Sequence, residues 1–404
     1  MRLGVYGWDS QVEAVVRAAR RMGARLGPAC GVPAERRMEV LGEGVVAVDS
    51  WEAMVDEQAC DVILVGAEAF DEARGEGLRH LVQAGRPLVI SQPLTLSMLY
   101  AYELDMIRAD VGGPLVPFLP DRQHPLVKRL LDAVEGGLVG VGRLGRLESI
   151  VVVRRMPERS KEHVLAWLAR DADLVRLLIG DPQRLSTLAG VSTDAAYASL
   201  TVEFGGEAQV PARWQVARGD TPEAELTLVG EAGQIRVTIP DSSAGPAVWT
   251  WQDVEGVEEA PPFDGGEVIL TTLRTLLAGR DAAEVPQASQ PPPAAWADAA
   301  RAIELAETVP RSLARGRAID LHQEEFSEMG TFKGTMASLG CGLVMVGLLI
   351  LVVATVIGGI AHEAGWALGE QLMSVWPFVV LAALGGFLAL QLLPLLVQGP
   401  TDKN

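Results

Sequence analysis

Two turns in this sequence carry residue types that hold phosphate. A literal Gly-x-Gly-x-x-Gly lies at Gly140, Gly142 and Gly145. A cradle of that pattern needs a strand before it and a helix after it, so that helix amides face the diphosphate. Here a helix over residues 126–134 precedes and a strand from residue 147 follows, which predicts a glycine-rich turn instead. The right context lies at the N terminus, where a strand over 2–6 meets a helix over 11–22. That turn reads Gly7-Trp8-Asp9-Ser10-Gln11-Val12. Only the first glycine position is kept. Asp9 stands where bare backbone must approach a diphosphate, Val12 holds the third position, and Asp9 adds negative charge. After the second strand, 25–30, Glu35 is the nearest carboxylate for a ribose. The histidines His80, His124, His163, His322 and His362 show no paired spacing, and Cys30, Cys60 and Cys341 form no CxxC. Neither a metal site nor a disulfide framework is expected.

These residues sit in an acidic chain. Of 404 residues 49% are apolar, and 34 Lys+Arg against 52 Asp+Glu give a net charge of −18. The apolar share excludes a wholly disordered chain, and the charge argues against nucleic acid as a partner. Beyond residue 333 only Lys403 is basic and only Glu363, Glu370 and Asp402 are acidic. Residues 334–361 and 371–401 are uncharged, each longer than the about 20 apolar residues that cross a hydrocarbon core of about 30 Å. They predict a membrane hairpin that would hold the chain against membrane lipid. Lys333 and Lys403 flank it and the loop between has no Lys or Arg, which places both ends in the cytoplasm. Ala354 with Gly358 and Ala382 with Gly386 would permit close helix packing. Residue 1 is not followed by a signal peptide pattern.

The elements that position the first turn alternate. Strands over 2–6, 25–30, 45–48, 61–65 and 87–90 are interleaved with helices over 11–22, 51–58 and 78–83, the pattern of a parallel, doubly wound sheet. After residue 145 the pattern changes. Strands over 147–155, 198–204, 208–217, 224–229 and 234–239, interrupted by a helix over 164–179, predict an antiparallel sheet with helices on one face. A helix follows over 294–308.

At this point the chain resembles the glucose–fructose oxidoreductase/inositol dehydrogenase (Gfo/Idh/MocA) family of NAD(P)-dependent sugar and cyclitol dehydrogenases, over roughly residues 1–320. The segment AGRPLVISQPLTLS at 84–97 resembles the family strand and turn bearing Glu-Lys-Pro. Arg122 and Pro125 resemble its Arg-x-x-Pro step. DADLVRLLIGDP at 171–182 resembles the helix carrying His-x-x-Asp, ELTLVGEAGQIRV at 225–237 a family hairpin, and residues 296–321 the closing helix.

The resemblance implies NAD or NADP as cofactor, contacted by Gly7, Trp8, Asp9, Ser10, Ser91 and Pro93. It also implies a homo-oligomer joined through the open face of the second sheet, and a small-molecule ligand. Three catalytic positions follow from it. Ser91-Gln92-Pro93 replaces the Glu-Lys-Pro turn, so Gln92 stands for a lysine and brings a donor without charge. Arg170 stands for the histidine base three residues before Asp173, and a guanidinium accepts no proton. Asp173 either binds a polyol hydroxyl or pairs with Arg170 or Arg176. Asp171 reads as a substitute base or a solvated charge, Arg122 and His124 as cleft-lining residues or a strand-end turn. Arg154 and Arg155 read as a solvated edge, Trp167 and Trp214 as core aromatics.

The expected fold class is α/β. A Rossmann-type parallel sheet occupies 1–120. An α+β domain with an open, mostly antiparallel sheet occupies 121–320. A connector at 321–335 leads to transmembrane helices at 336–361 and 372–398. The expected function is that of a membrane-anchored protein of oxidoreductase fold with a degenerate catalytic site, acting in ligand binding, scaffolding or regulation. An active NAD(P)-dependent oxidoreductase and a structural membrane-assembly subunit are the alternatives.

Overall fold

Short apolar strands that are buried on both faces build the first layer. The computed structural model describes residues 1–36, 45–189, 196–206, 210–278 and 291–321, together with Val356. β1 (Arg2–Tyr6), β2 (Arg25–Cys30), β3 (Val62–Val65), β4 (Leu88–Ile90) and β5 (Leu115–Pro117) form a parallel sheet in the order β2-β1-β3-β4-β5. All four residues of β3 are fully buried, as expected where helices cover both faces. α1 (Ser10–Arg21) lays Val12, Val15, Val16 and Ala19 on one sheet face. A brief α2 (Ala34–Arg36) follows β2. α3 (Glu72–Gln83) and α4 (Met98–Val111) cover the opposite face. Strand order reverses direction between β1 and β3. That makes the crevice between their carboxyl ends the topological switch point, where sheets of this kind take ligands.

α5 (Pro125–Leu138) leads through the turn at Gly140, Gly142 and Gly145, all three with positive φ, into β6 (Leu147–Met156). The long α6 (Lys161–Ile179) follows. β7 (Pro182–Leu188), β8 (Thr201–Gly206), β9 (Ala212–Arg218), β10 (Glu223–Gly230), β11 (Gly233–Pro240), β12 (Thr250–Asp253) and β13 (Gly256–Glu259) come next. After α7 (Gly265–Leu277) and α8 (Trp296–Arg315), β14 (Ile319–Asp320) completes a nine-stranded sheet, ordered β13-β12-β11-β10-β6-β9-β8-β7-β14. β6 and β9 pair in parallel and the other described pairs of this sheet are antiparallel. α5 and α6 pack on one face, where Ile150, Val152, Leu226 and Leu228 enter the core.

α8 joins the two layers. Trp296, Ala299, Ala300 and Ile303 pack under the parallel sheet, whereas Ala302, Leu305, Ala306 and Val309 enter the core of the second. Residues 1–321 are thus one unit.

Several elements differ from the sequence expectation. The strand expected at 45–48 is a single bridge from Ala47 to Ala29, and the helix expected at 51–58 is a 3-10 turn over Trp51–Met54. Four strands of the second sheet, β7, β12, β13 and β14, were not signalled: β12, β13 and β14 are short, and β7 is polar along most of its length. α4 buries only Ala101 and Leu104 fully, which leaves little periodicity to read. The two transmembrane helices expected at 336–361 and 372–398, and the connector beyond Leu321, lie outside the described residues. Among the described residues no helix is long and apolar enough to cross a membrane.

Candidate functional site

The turn after β1 is held by its own acid. Asp9 has an extended backbone and caps α1, its Oδ1 accepting from the Val12 amide at 2.8 Å. Its Oδ2 accepts from the Ala67 amide at 2.6 Å, in the loop between β3 and α3. The same loops are joined by main chain, with Gly66 N–H donating to Tyr6 O and Glu68 N–H to Trp8 O, each at 3.0 Å. Trp8 is buried beneath this closure, and a Cβ at Gly66 would strike its backbone. Arg74, in the first turn of α3, donates from Nη2 to Gly66 O at 2.5 Å and from Nη1 to Glu68 O at 2.5 Å. Gly7 has φ of 81°, and a side chain there would overlap the Arg74 guanidinium. Ser10 is exposed at the start of α1, and its hydroxyl donates to Ser243 Oγ at 3.1 Å. Glu35 lies exposed on α2.

The turn after β4 is equally closed. Gln92 is fully buried and its peptide bond to Pro93 is cis. Gln11 clamps the Gln92 backbone, donating to its carbonyl at 2.7 Å and accepting from its amide at 2.8 Å. The Gln92 side chain donates from Nε2 to Ala299 O of α8 at 3.1 Å. It is fully buried and faces α8. Ser91 Oγ and Gln92 Oε1 are shut off from solvent with no partner among the described residues.

α6 places its charged residues differently from expectation. Asp173 is 1% exposed and pairs with Arg122, not with Arg170 or Arg176. Arg122 Nε donates to Asp173 Oδ2 at 3.0 Å, Nη2 contacts Oδ1, and Nη1 reaches Asp298 Oδ2 at 3.0 Å. Burial pushes the Asp173 carboxyl above its ordinary range, with Arg122 pulling the other way. Asp171, expected as a substitute base or a solvated charge, is buried, held by Arg154 and by Trp214 Nε1–H at 2.7 Å. Arg154 is therefore a core residue of β6 and not a solvated edge. Arg170 donates to Asp241 Oδ1 at 3.0 Å. Trp167 lies between two guanidinium groups, Arg154 at 4.2 Å and Arg170 at 4.1 Å from its ring centre. His124 is buried at the start of α5, its Nδ1 accepting from Leu126 N–H, with its ring stacked 3.9 Å from Trp249. Burial drops its pKa to about 4. Neither Arg122 nor His124 presents a free face to a ligand.

Sequence reasoning missed three participants. Asp121 follows β5, its Oδ1 enclosed and unpartnered, and burial raises its carboxyl to about 6 against the pull of Arg170. Asp241 accepts from Arg170 and from Ser243 Oγ at 2.8 Å, tying the end of β11 to α6. Burial raises the Asp241 carboxyl, but Arg170 and the Ser243 hydrogen bonds outweigh it and leave it below the ordinary range. Arg74 carried a weak signal, three residues after the cap Asp71. Its partners are main-chain carbonyls, which no motif encodes.

The arrangement can hold charge but not readily move a proton. Asp171 and Asp173 on α6 are each paired with a guanidinium, and Arg170 is a permanent cation. The residues also fit a dinucleotide poorly: Asp9 takes the Val12 and Ala67 amides and sets a negative charge in the turn, and the crevice is bridged by backbone and Arg74. Among the described residues no three His, Cys, Asp or Glu side chains are grouped to hold a metal ion. A cavity of about 330 Å³ lies outside this crevice, between the N-terminal ends of α3 and α4, lined by Phe70, Asp71, Arg79, Ser97, Tyr100 and Glu103.

No protein-family model and no curated protein matches this sequence. Solved structures do. The chain is similar to the WlbA dehydrogenase from Bordetella pertussis in complex with NADH and UDP-GlcNAcA, at 16% identity and a TM-score of 0.59 over 80% of this chain and 99% of that one. It is similar to a 3-ketoreductase from Actinomadura kijaniata in complex with NADP, at 16% identity and a TM-score of 0.57 over 77% and 97%. It is also similar to an oxidoreductase from Agrobacterium radiobacter in complex with NAD+, L-tartaric acid and magnesium, at 15% identity and a TM-score of 0.56 over 79% and 98%. These neighbours are Gfo/Idh/MocA-type NAD(P)-dependent dehydrogenases. At such identity the likeness establishes a shared fold, an N-terminal parallel Rossmann-like sheet with a second, mostly antiparallel sheet. A nicotinamide cofactor is the group this fold holds in those neighbours.

Proposed function

We propose that this chain is a membrane-tethered scaffold or regulatory protein built on a dehydrogenase fold that no longer transfers hydride. The observation that carries the reading is the state of the three catalytic positions. Arg170 occupies the base position and is engaged by Asp241. Asp173 is engaged by Arg122, and Gln92 by Ala299. General acid–base catalysis needs a group that exchanges a proton near neutral pH; a guanidinium and an amide do not, and the Asp173 carboxyl is held by a guanidinium. The uncharged stretches at 334–361 and 371–401 support the tether, with the acidic body on the cytoplasmic side. The outward face of β6 and β10, with Val151, Val153 and Val229 half-buried, is the surface for association of copies. The cavity between α3 and α4 is where a small ligand would enter.

Turnover is the test. The purified full chain in detergent, given NAD+ or NADP+ with a panel of sugars and polyols, is expected to produce no reduced cofactor above a blank. Reduction that saturates with one substrate would end this reading. Membrane tethering is tested separately: the full chain should stay in the membrane pellet after alkaline carbonate washing.

A second reading, an NAD(P)-dependent oxidoreductase on a sugar or polyol, draws support from the cofactors bound in the structural neighbours. It would have to use Asp121, the enclosed carboxyl that burial raises to about 6, because Asp171 and Asp173 are both committed to guanidinium groups.

A further inference from the structure

We infer that the dinucleotide crevice of this chain is filled by its own ions, with the Asp9 carboxylate standing in for a diphosphate and the Arg74 guanidinium sealing the ends of β1 and β3. This rests on the non-redox reading and adds to it a cause that lies in the crevice, apart from proton transfer.

The position of Asp9 comes first. A helix N-terminus presents unpaired amides and a partial positive charge, and a bound diphosphate satisfies both. Here one Asp9 carboxylate takes one such amide from α1 and a second amide from the facing loop. Oδ1 takes the Val12 amide of α1 and Oδ2 takes the Ala67 amide of the β3–α3 loop, at 2.8 and 2.6 Å. One carboxylate thus spans both walls of the switch point. An incoming diphosphate would find these donors engaged and a fixed negative charge beside them, in a half-buried place where repulsion is weakly screened.

The walls are also drawn together. Gly66 N–H to Tyr6 O and Glu68 N–H to Trp8 O extend the β1–β3 pairing into both loops. Glycine at 66 lets the loop lie against the Trp8 backbone, where a Cβ would collide. In an open crevice Arg74 would be a natural phosphate ligand. Its Nη1 and Nη2 are instead spent on the carbonyls of Glu68 and Gly66, over Gly7. Carboxylate and guanidinium are therefore one internal set, each engaged with the backbone of the crevice walls.

Removing the carboxylate should create an anion site. The test uses the full chain in detergent, with inorganic pyrophosphate and NADH as probes. Asp9→Ala should melt lower than wild type, and millimolar pyrophosphate should restore much of that loss. Wild type should not respond. Asp71→Ala, which uncaps α3 in the same way at an exposed site, should lose stability without rescue. Asp9→Asn keeps an acceptor but drops the charge, so it tests the idea if the alanine variant does not fold. It should bind pyrophosphate roughly tenfold more tightly than wild type by calorimetry. Equal binding by wild type and Asp9→Asn, or rescue of Asp71→Ala as strong as that of Asp9→Ala, overturns the inference. Wild type that binds NADH without turnover also overturns it and leaves the non-redox reading standing. Wild type that turns over defeats both.

Discussion

Arg122 Nε lies 3.0 Å from Asp173 Oδ2, and the two side chains meet through a second contact, Nη2 to Oδ1, in a setting where both are nearly excluded from solvent. The pair binds the turn after β5 to the middle of α6, and Asp298 on α8 shares the same guanidinium. An acid so held orders three elements. Burial raises its carboxyl and the Arg122 guanidinium pulls it back.

Breaking that pair should be costly. A buried charge left without its partner destabilises by about 3–5 kcal/mol. Arg122→Ala is expected to lose that much in urea denaturation, and the loss should exceed that of Arg213→Ala, whose pair with Glu203 is exposed. Equal effects would show that the buried pair is not a structural tie.

Trp214 tests the second held acid. Its indole N–H reaches Asp171 at 2.7 Å in the core. Trp214→Phe should cost about 1–3 kcal/mol through the carboxylate oxygen left short of a donor, on top of a small volume loss. A change near zero would mean that Arg154 alone satisfies Asp171.

Two buried groups titrate in opposite senses. His124 falls from 6.5 to about 4 on burial, so between those values the unfolded chain binds a proton that the folded chain refuses, and stability drops as pH falls. Asp121 rises from 3.8 to about 6, so the folded chain holds the extra proton, and stability drops as pH rises through that window. The two slopes oppose each other across the shared range near pH 5. Relative to wild type, Asp121→Asn should steepen the gain in stability with rising pH between about 4 and 6. His124→Asn, which keeps a capping acceptor, should reverse it. Denaturation at a series of pH values reads both, and parallel curves for all three proteins would refute the assignment.

Restoring the family residues should not restore chemistry. Arg170→His with Gln92→Lys replaces the missing base and cation, but the crevice still holds Asp9 and Arg74. No cofactor reduction is expected from the double variant in a spectrophotometric assay. Turnover would mean that the two substitutions alone had disabled the site.

Much of the architecture was legible. The alternation of strands and helices before residue 90 places β1 to β4, whereas the three-residue β5 and the capping role of Asp9 were not anticipated. Burial alternates along β6 and β11, where strands were expected. The small edge strands β12 to β14 escaped because two to four residues carry too little pattern. The site was legible by position and not by contact. The family resemblance marks Arg170 and Asp173 as special, but Asp241 and Arg122, which settle what those residues do, lie 71 and 51 positions from them. Asp171 looked like a solvated charge because its partner, Arg154, belongs to a strand that reads as a solvated edge.

Calorimetric titration of the wild-type full chain with NADH and NADPH, in detergent, bears most directly on whether this crevice still accepts a dinucleotide. No saturable heat is expected even at millimolar cofactor. A one-to-one isotherm with a micromolar dissociation constant, abolished by excess pyrophosphate, would contradict the closed crevice.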